Sequence, residues 1–544
     1  MMETLLNDAD HRTPSVNRKF SWTMLVSVLM LLVSLVIAFL VFKNIFTYEL
    51  KHAYTADAPL YWTVGRGMLN GLTPYADLYE NKPLGVFLIS ALSFRLTGET
   101  ILCNIVSCVA VLMIAALPAL FLFDMYKDNK SVSTLRKATV STAVFLSCLF
   151  LTVYIELRSG GFQVEAIGAA FSALFICLVL KLKNAKSKKS RVILTALAAV
   201  AISCTVMMKE PFVLVSVFGA LLFIDSFKSL LKDMVIPCLI GAAATVIGLA
   251  AGGVLVPYFT IYIKRMFETR LGGQSSALSS AFNLSRLVKD IKSFSIWLLI
   301  LLIGFIVLAL VRAIAAKKSV PLILFHVIKV AVAILIASFC VGVGRYYYNH
   351  HFIFAAPVYC ALIICGGETL LDLRFKKDFV SLAAIALWGV ALVSCILNIG
   401  NPYAGDYTQK YNSLKNKAAY VDSLLDFYGE ERYQFIGFNG EDVFFGTTEH
   451  SPQGPAFAQD PDNFQSADTW FSKSLIEQLD NSNIVIVKAF FCPAINDRIQ
   501  ETLNRDFTEH PSIPFKTAPP PDFAYKIYYR TSKYAPQSVR SSQQ

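Results

Sequence analysis

The chain has 544 residues, of which 55% are hydrophobic and only 16% charged, with 49 Lys+Arg against 38 Asp+Glu and a mean hydropathy of +0.54. Soluble chains of this size carry about a quarter charged residues, so a soluble multidomain protein is excluded, as are a disordered chain, a coiled coil and a repeat solenoid. Nearly uncharged runs close to the ~20 residues needed to cross a bilayer recur through the first 400 residues, which predicts a polytopic α-helical membrane protein.

The elements follow in chain order. Residues 1–20 are polar, with Arg12, Arg18 and Lys19 just before the first apolar run, and read as a cytoplasmic N-terminal segment. The run from Trp22 to Phe42 exceeds a signal peptide's apolar region and lacks a small-residue cleavage site, so it reads as an uncleaved span. A membrane region over 21–400 then begins, with an outer loop, 43–99, that is aromatic and punctuated by Gly and Pro. Inside that loop Leu84–Leu96 is apolar but short, which predicts an interfacial or re-entrant helix. Further spans are expected near 100–123, 138–155, 164–182, 192–208, 211–224, 234–258, 293–311, 320–343, 352–366 and 379–398, about 11 in all with the first.

This count puts every strongly basic short loop on the side of the N-terminus: 124–137, 183–191, 225–233, 312–318 and 371–378. The first 401 residues have a net charge of +16 and residues 402–544 a net of −5. The overall excess of +11 is therefore a membrane-topology signal, and no nucleic-acid partner is expected. Residues 401–533 read as a small extracytoplasmic α/β domain, with a helix from about Tyr411 to Tyr428, strands over 433–438 and 484–490, and helices around 469–479 and 494–504. Proline-rich residues 511–521 read as extended and 534–544 as a disordered tail. Ten of the 11 cysteines lie in or beside apolar runs and only Cys492 lies in the polar tail, so no disulfide framework is predicted there.

An ionised group in hydrocarbon costs several kcal/mol, so acids and bases gathered at span mouths on one face are worth weighing. Asp57 opens a helical pattern two residues before Pro59, which also fits an ordinary N-cap. Glu80 and Lys82 precede the interfacial helix, where a lysine can pair locally or hold a lipid phosphate. Glu156 and Arg158 flank a short outer loop whose Gly160 and Gly161 permit a sharp turn, and Glu165 starts the next span, where the helix dipole favours a carboxylate. Lys209 and Glu210 sit between two apolar runs, Pro211 opening the second. Arg345, His350 and His351 close an outer turn whose Tyr346–Tyr348 run suits an aromatic belt. Loop 259–292 adds Lys264, Arg265 and Arg270. There is no Walker loop, GxSxG elbow, HExxH or DxD-type motif, so no nucleotide cofactor is expected.

In their order and sidedness these pieces resemble the GT-C-type glycosyltransferases, the superfamily of protein O-mannosyltransferases and lipid A aminoarabinose transferases. The resemblance rests on Asp57, the GLTPYADLYENKP run at 71–83, QVEAIGAAF with Glu165, the KEP tripeptide at 209–211, and GRYYYNHHFIFAAP at 344–357. It departs where Ala58 replaces a second acid, where Leu84 replaces a second proline, and where the second acid is Glu, which leaves substrate choice open.

The resemblance implies a bacterial inner-membrane enzyme that moves one sugar, with inversion, from a polyprenyl-phosphate carrier to an extracytoplasmic glycan, lipid or protein acceptor. Asp57 is then the general base, with Glu165 assisting it, positioning the acceptor or holding a divalent cation, the need for a metal being left open. Glu80, Lys82, Arg158, Lys209, Arg270, Arg345, His350 and His351 form the donor-phosphate and substrate set. Two other readings predict different features: a glycan ligase or polymerase carries one large outer loop between late spans, and a transporter carries ionisable groups near the bilayer midplane. A non-catalytic assembly protein gives acids and bases no reason to gather at one face.

Overall fold

The computed structural model describes residues 22–268, 282–315, 319–343, 347–372, 377–399, 407–437, 444–457, 459, 463–464, 466–488, 494–510 and 518–534. The expected N-terminal segment and all but the first residue of the expected tail lie outside these.

Among the described residues nine helices are long and apolar enough to cross a bilayer. They include α1 (Trp22–Glu49), α4 (Ile101–Tyr126), α5 (Thr134–Ser159), α6 (Val164–Lys183) and α7 (Lys188–Met208). The others are Phe227–Ala251, Val320–Gly342, Asn349–Asp372 and Leu382–Ile399. The two remaining expected spans are shorter apolar helices, α8 (Pro211–Leu221) and Ile296–Arg312. The protein is a polytopic helical membrane protein.

Two further helices precede α4. The α2 helix (Ala58–Leu69) has a proline in its first turn, and α3 (Leu84–Thr97) starts after Pro83 and ends at Gly98 with φ +69°. At 14 residues, α3 is about 21 Å long, short of the ~30 Å hydrocarbon core, in keeping with the interfacial reading.

Asn349–Asp372 is buried throughout and α5 and α6 nearly so, while α1, Phe227–Ala251, Val320–Gly342 and Leu382–Ile399 expose most of their residues. The centre is thus α5, α6 and Asn349–Asp372, and the outer helices turn Leu35, Phe39, Leu239, Ile247, Leu322 and Leu397 outward, as lipid-facing helices do. At one end of the bundle the basic loops meet acids: Lys181 lies 2.7 Å from Asp124, Lys183 pairs with Asp225, and Arg191 pairs with Asp233. Near this end the stretch after α8 finishes at Ile224, whose carbonyl accepts from the buried Lys329 ammonium at 2.8 Å.

The C-terminal region sits on the opposite end. It contains a mixed sheet of β1 (Arg432–Ile436), β2 (Ser451–Pro452), β3 (Ile484–Val487), β4 (Phe507–Glu509) and β5 (Lys526–Arg530), in the order β2-β1-β3-β5-β4. β1 runs parallel to β2 and β3, with Phe435 opposite Ile486, and β5 runs antiparallel to β3 and β4. Helices Thr408–Tyr428, Trp470–Asn481 and Asn496–Asp506 complete it, within three residues of the expected bounds. The strands β2, β4 and β5 are additions to the sequence reading: two are only two and three residues long, and β5 lies beyond the prolines that suggested extended chain.

Candidate functional site

Asp57 is the residue before α2, yet its carboxylate makes no capping bond. The Asp57 carbonyl instead accepts from the Leu60 and Tyr61 N–H groups at 3.0 and 3.3 Å, leaving the side chain free of helix duty. Its Oδ2 accepts from the Tyr61 hydroxyl at 3.2 Å and lies 3.7 Å from Lys82 Nζ. Lys82 also approaches Glu80 Oε1 at 3.8 Å and donates to Asn81 Oδ1 at 3.0 Å. The loop behind it is built to hold that ammonium. Asp77 accepts from the Thr73 N–H at 2.7 Å, and the Tyr75 hydroxyl donates to the Lys82 carbonyl at 3.0 Å, with Tyr75 itself at φ +70°.

A second pair stands beside the first. Glu165, fully buried in the first turn of α6, pairs with Lys209, and His350 Nε2 lies 4.0 Å from the same carboxylate oxygen. The other oxygen, Glu165 Oε2, has no hydrogen-bond partner. Lys209 also sits 5.0 Å from the centre of the Phe354 ring. Gln163, two residues before Glu165 in the chain, accepts from the Tyr61 hydroxyl at 3.4 Å and donates to Thr55 Oγ1 at 2.5 Å.

Two glycines let these elements meet. A Cβ on Gly85, in the first turn of α3, would stand 2.5 Å from the Met207 carbonyl, so α3 begins directly against the end of α7, bringing Lys82 toward Lys209. A Cβ on Gly168 would stand 2.6 Å from the Phe212 ring, so the first turns of α6 and α8 touch, bringing Glu165 to Lys209.

The electrostatics join the groups into one cluster. Burial works against ionisation of Asp57, but Lys82, His350 and Lys209 outweigh it and hold its carboxyl below the usual carboxylate range. Burial pushes the Lys209 ammonium down despite the opposing pull of Glu165. Among these acids and bases the Asp57 side chain is the most open, 35% exposed against 10% for Lys82 and none for Glu165. An incoming hydroxyl therefore reaches Asp57 more readily than the others. The arrangement offers an accessible carboxylate, held ionised at neutral pH, beside the buried Lys82 ammonium and the partly buried Lys209 ammonium, which can face an anion.

The expected site residues divide as follows. Asp57, Glu80, Lys82, Glu165, Lys209 and His350 come together. His351 stacks edge-on to His350, ring centroids 4.6 Å apart. Arg158 goes elsewhere, pairing at 2.9 Å with Asp290 and donating to the Asp290 carbonyl and Ser293 Oγ. Arg265 pairs with Glu268 and lies over the Trp470 ring. Arg270 and Arg345 lie outside the described residues.

Tyr61, Glu49 and the tyrosine partners of Glu210 escaped the sequence reading. Tyr61 is one turn along α2 from Asp57, a spacing that could have suggested it. Glu210 accepts from the Tyr258 and Tyr262 hydroxyls at 3.1 and 2.7 Å, and burial pushes its carboxyl up despite those two bonds. The two tyrosines share a face of the π-helix Tyr258–Ile263. Glu49, at the end of α1, accepts from the Gly161 N–H at 2.9 Å and from Asn104 at 3.3 Å, and so fixes the turn that leads to Gln163. Among the described residues no group of three His, Cys, Asp or Glu side chains is arranged to hold a metal ion.

No family model and no curated protein matches the chain. Solved structures do match in fold. The crystal structure of ArnT from Cupriavidus metallidurans bound to undecaprenyl phosphate superposes with a TM-score of 0.55 at 12% identity, over 93% of this chain and 98% of that one. The same protein in its apo state gives a TM-score of 0.50 at 10% identity with the same coverage. The chain has the fold of this ArnT over 93% of its length.

Proposed function

We propose that the protein is a membrane glycosyltransferase that moves a sugar from a polyprenyl-phosphate carrier to an extracytoplasmic glycan, lipid or protein acceptor. The observation that carries this reading is the accessible Asp57 carboxylate 3.7 Å from the buried Lys82 ammonium, with Glu165 and Lys209 alongside. Its setting supports the reading too: the site lies at the end of an ArnT-like fold, and the ArnT structure holds undecaprenyl phosphate.

In this mechanism Asp57 removes the proton from the acceptor hydroxyl as that oxygen attacks the anomeric carbon. The glycosidic phosphate bond breaks on the opposite face, which inverts the centre. The polyprenyl phosphate departs with its new negative charge facing Lys82, a preorganised ammonium that needs no reorientation at that moment. The Tyr61 hydroxyl bond to Oδ2 orients the Asp57 carboxylate, and Glu165 keeps Lys209 charged beside it. The basic loops at the far end then face the cytoplasm, as the positive-inside bias requires, and the membrane is a bacterial inner membrane with the C-terminal domain outside.

The test uses the full chain in lipid nanodiscs, a panel of labelled polyprenyl-phosphate sugars, and crude envelope acceptors. Wild type releases sugar from one donor and gives product of inverted configuration. Asp57→Asn loses that turnover by about 10²–10⁴-fold, the usual worth of general-base assistance. Transfer of a whole oligosaccharide, or accumulation in sealed vesicles without product, overturns the proposal.

A further inference from the structure

Building on the transferase reading, we infer that the C-terminal domain is a working part of the site: it holds in place both the helix that presents Asp57 and the loop that presents Lys82. Gly446 and Tyr79 are the positioning residues.

The first grip runs along α2. A Cβ on Gly446 would stand 2.7 Å from the Pro59 carbonyl oxygen and 2.8 Å from Pro59 Cα. The domain's backbone therefore touches α2 two residues after Asp57, at a distance no side chain allows. At the other end of α2, Asn70 donates to the Glu449 carbonyl at 2.9 Å and to Ser451 Oγ at 3.0 Å. A 12-residue helix about 18 Å long is thus fixed at both ends by one segment, 444–451, which blocks both sliding and tilting.

That segment is itself rigidly seated. Phe444 and Phe445 are buried against Phe435, Tyr525 and Phe457. The Asp422 carboxylate accepts from the Glu449 and His450 N–H groups at 2.9 and 3.1 Å, and β2 pairs with β1.

The second grip is on the loop before Lys82. Tyr79 belongs to the domain's own apolar cluster with Phe464, Phe471 and Leu475, its ring centroid 5.2 Å from that of Phe471. Its N–H donates to the Pro455 carbonyl at 3.4 Å. Glu80 and Lys82 follow within three residues. A domain that merely covered the end of the bundle would have no need to reach the backbone beside each of two site residues.

The experiment measures backbone hydrogen exchange of residues 55–69, together with steady-state turnover, on the full chain in nanodiscs. Gly446→Ala and Asn70→Ala are compared with wild type and with Gly389→Ala, where an added Cβ meets nothing within 4 Å. In Gly446→Ala residues 55–69 lose protection and kcat falls roughly 10- to 100-fold, the cost of misplacing a reacting group by about an ångström. KM for the carrier stays within about twofold, because binding of the carrier is not what was disturbed. Asn70→Ala, which adds no bulk and so keeps the fold, shifts both readouts the same way by less, and Gly389→Ala shifts neither.

Unchanged protection in Gly446→Ala, or unchanged kcat with the protection lost, overturns the inference. A wild type that turns over no polyprenyl-linked donor overturns the transferase reading instead, and the exchange data then decide alone whether the domain holds α2.

Discussion

At the scale of single residues, charge and exposure divide the labour. Asp57 is the open member and its carboxyl titrates below the usual range, so it stays ionised down to the ordinary carboxylate pKa of about 4. Activity attributed to this base therefore shows no acid limb above about pH 5. Lys209 behaves oppositely: burial lowers its pKa, so its charge is lost as pH rises through a value below the ordinary ~10.4. We expect an alkaline limb in kcat/KM below that figure. Lys209→Arg should move the limb upward, since a guanidinium stays charged past pH 12; a limb that does not move assigns it to another group. The Glu165 carboxylate is wholly buried, and Glu165→Ala removes the partner that keeps Lys209 charged, so breaking this pair costs about 3–5 kcal/mol in stability. Thermal unfolding of the detergent-solubilised protein measures this, and Glu165→Gln, which keeps an acceptor, should lose less.

At the scale of elements, close contacts decide where those residues meet. The start of α3 touches the end of α7 through Gly85, and the position of Lys82 beside Lys209 depends on it. Gly85→Ala forces a methyl to within 2.5 Å of a backbone carbonyl, which cannot give as a side-chain tip can. The overpacking costs about 1–3 kcal/mol, more than the ~1 kcal/mol that alanine gains in helix propensity, so the net effect is a lowered unfolding temperature. Gly389→Ala meets no neighbour, keeps that propensity gain, and should be neutral or slightly stabilising.

Much of this level was legible in the sequence. Uncharged runs of the right length marked the spans, and Gly160 and Gly161, at φ +37° and +76°, marked the turn before Glu165. Asp57 before Pro59 suggested a cap, but only the fold reveals that its backbone carbonyl, not its side chain, serves the helix. Tertiary partners left no mark. Arg158 looked like its neighbours at the site and is taken by Asp290, 132 residues away, while Tyr258 and Tyr262, which no motif singled out, hold Glu210. The short strands β2 and β4 have too few residues to show an alternating pattern.

At the scale of the whole molecule, a bundle and a domain form one continuous body. Tyr61 and Trp62 of α2 share a buried cluster with Tyr433, Phe435, Phe444 and Phe445 of the C-terminal region, and Lys415 reaches Glu99 at 2.7 Å. The basic loops lie at the other end. With Cys492→Ser made first and Lys137→Cys or Lys415→Cys added in turn, a membrane-impermeant thiol reagent applied outside intact cells should label the second and spare the first; the reverse would invert the topology.

The central claim, that carrier binding and chemistry meet at Lys82 and Asp57, is tested most directly by separating the two. Binding of bare polyprenyl phosphate and turnover of the labelled donor are measured in nanodiscs for wild type, Asp57→Asn and Lys82→Ala. The account predicts that Asp57→Asn binds the carrier as wild type does yet barely turns over. Lys82→Ala should bind roughly 10- to 100-fold more weakly, the worth of a charged hydrogen bond. Full turnover by Asp57→Asn, or undiminished carrier binding by Lys82→Ala, would contradict it.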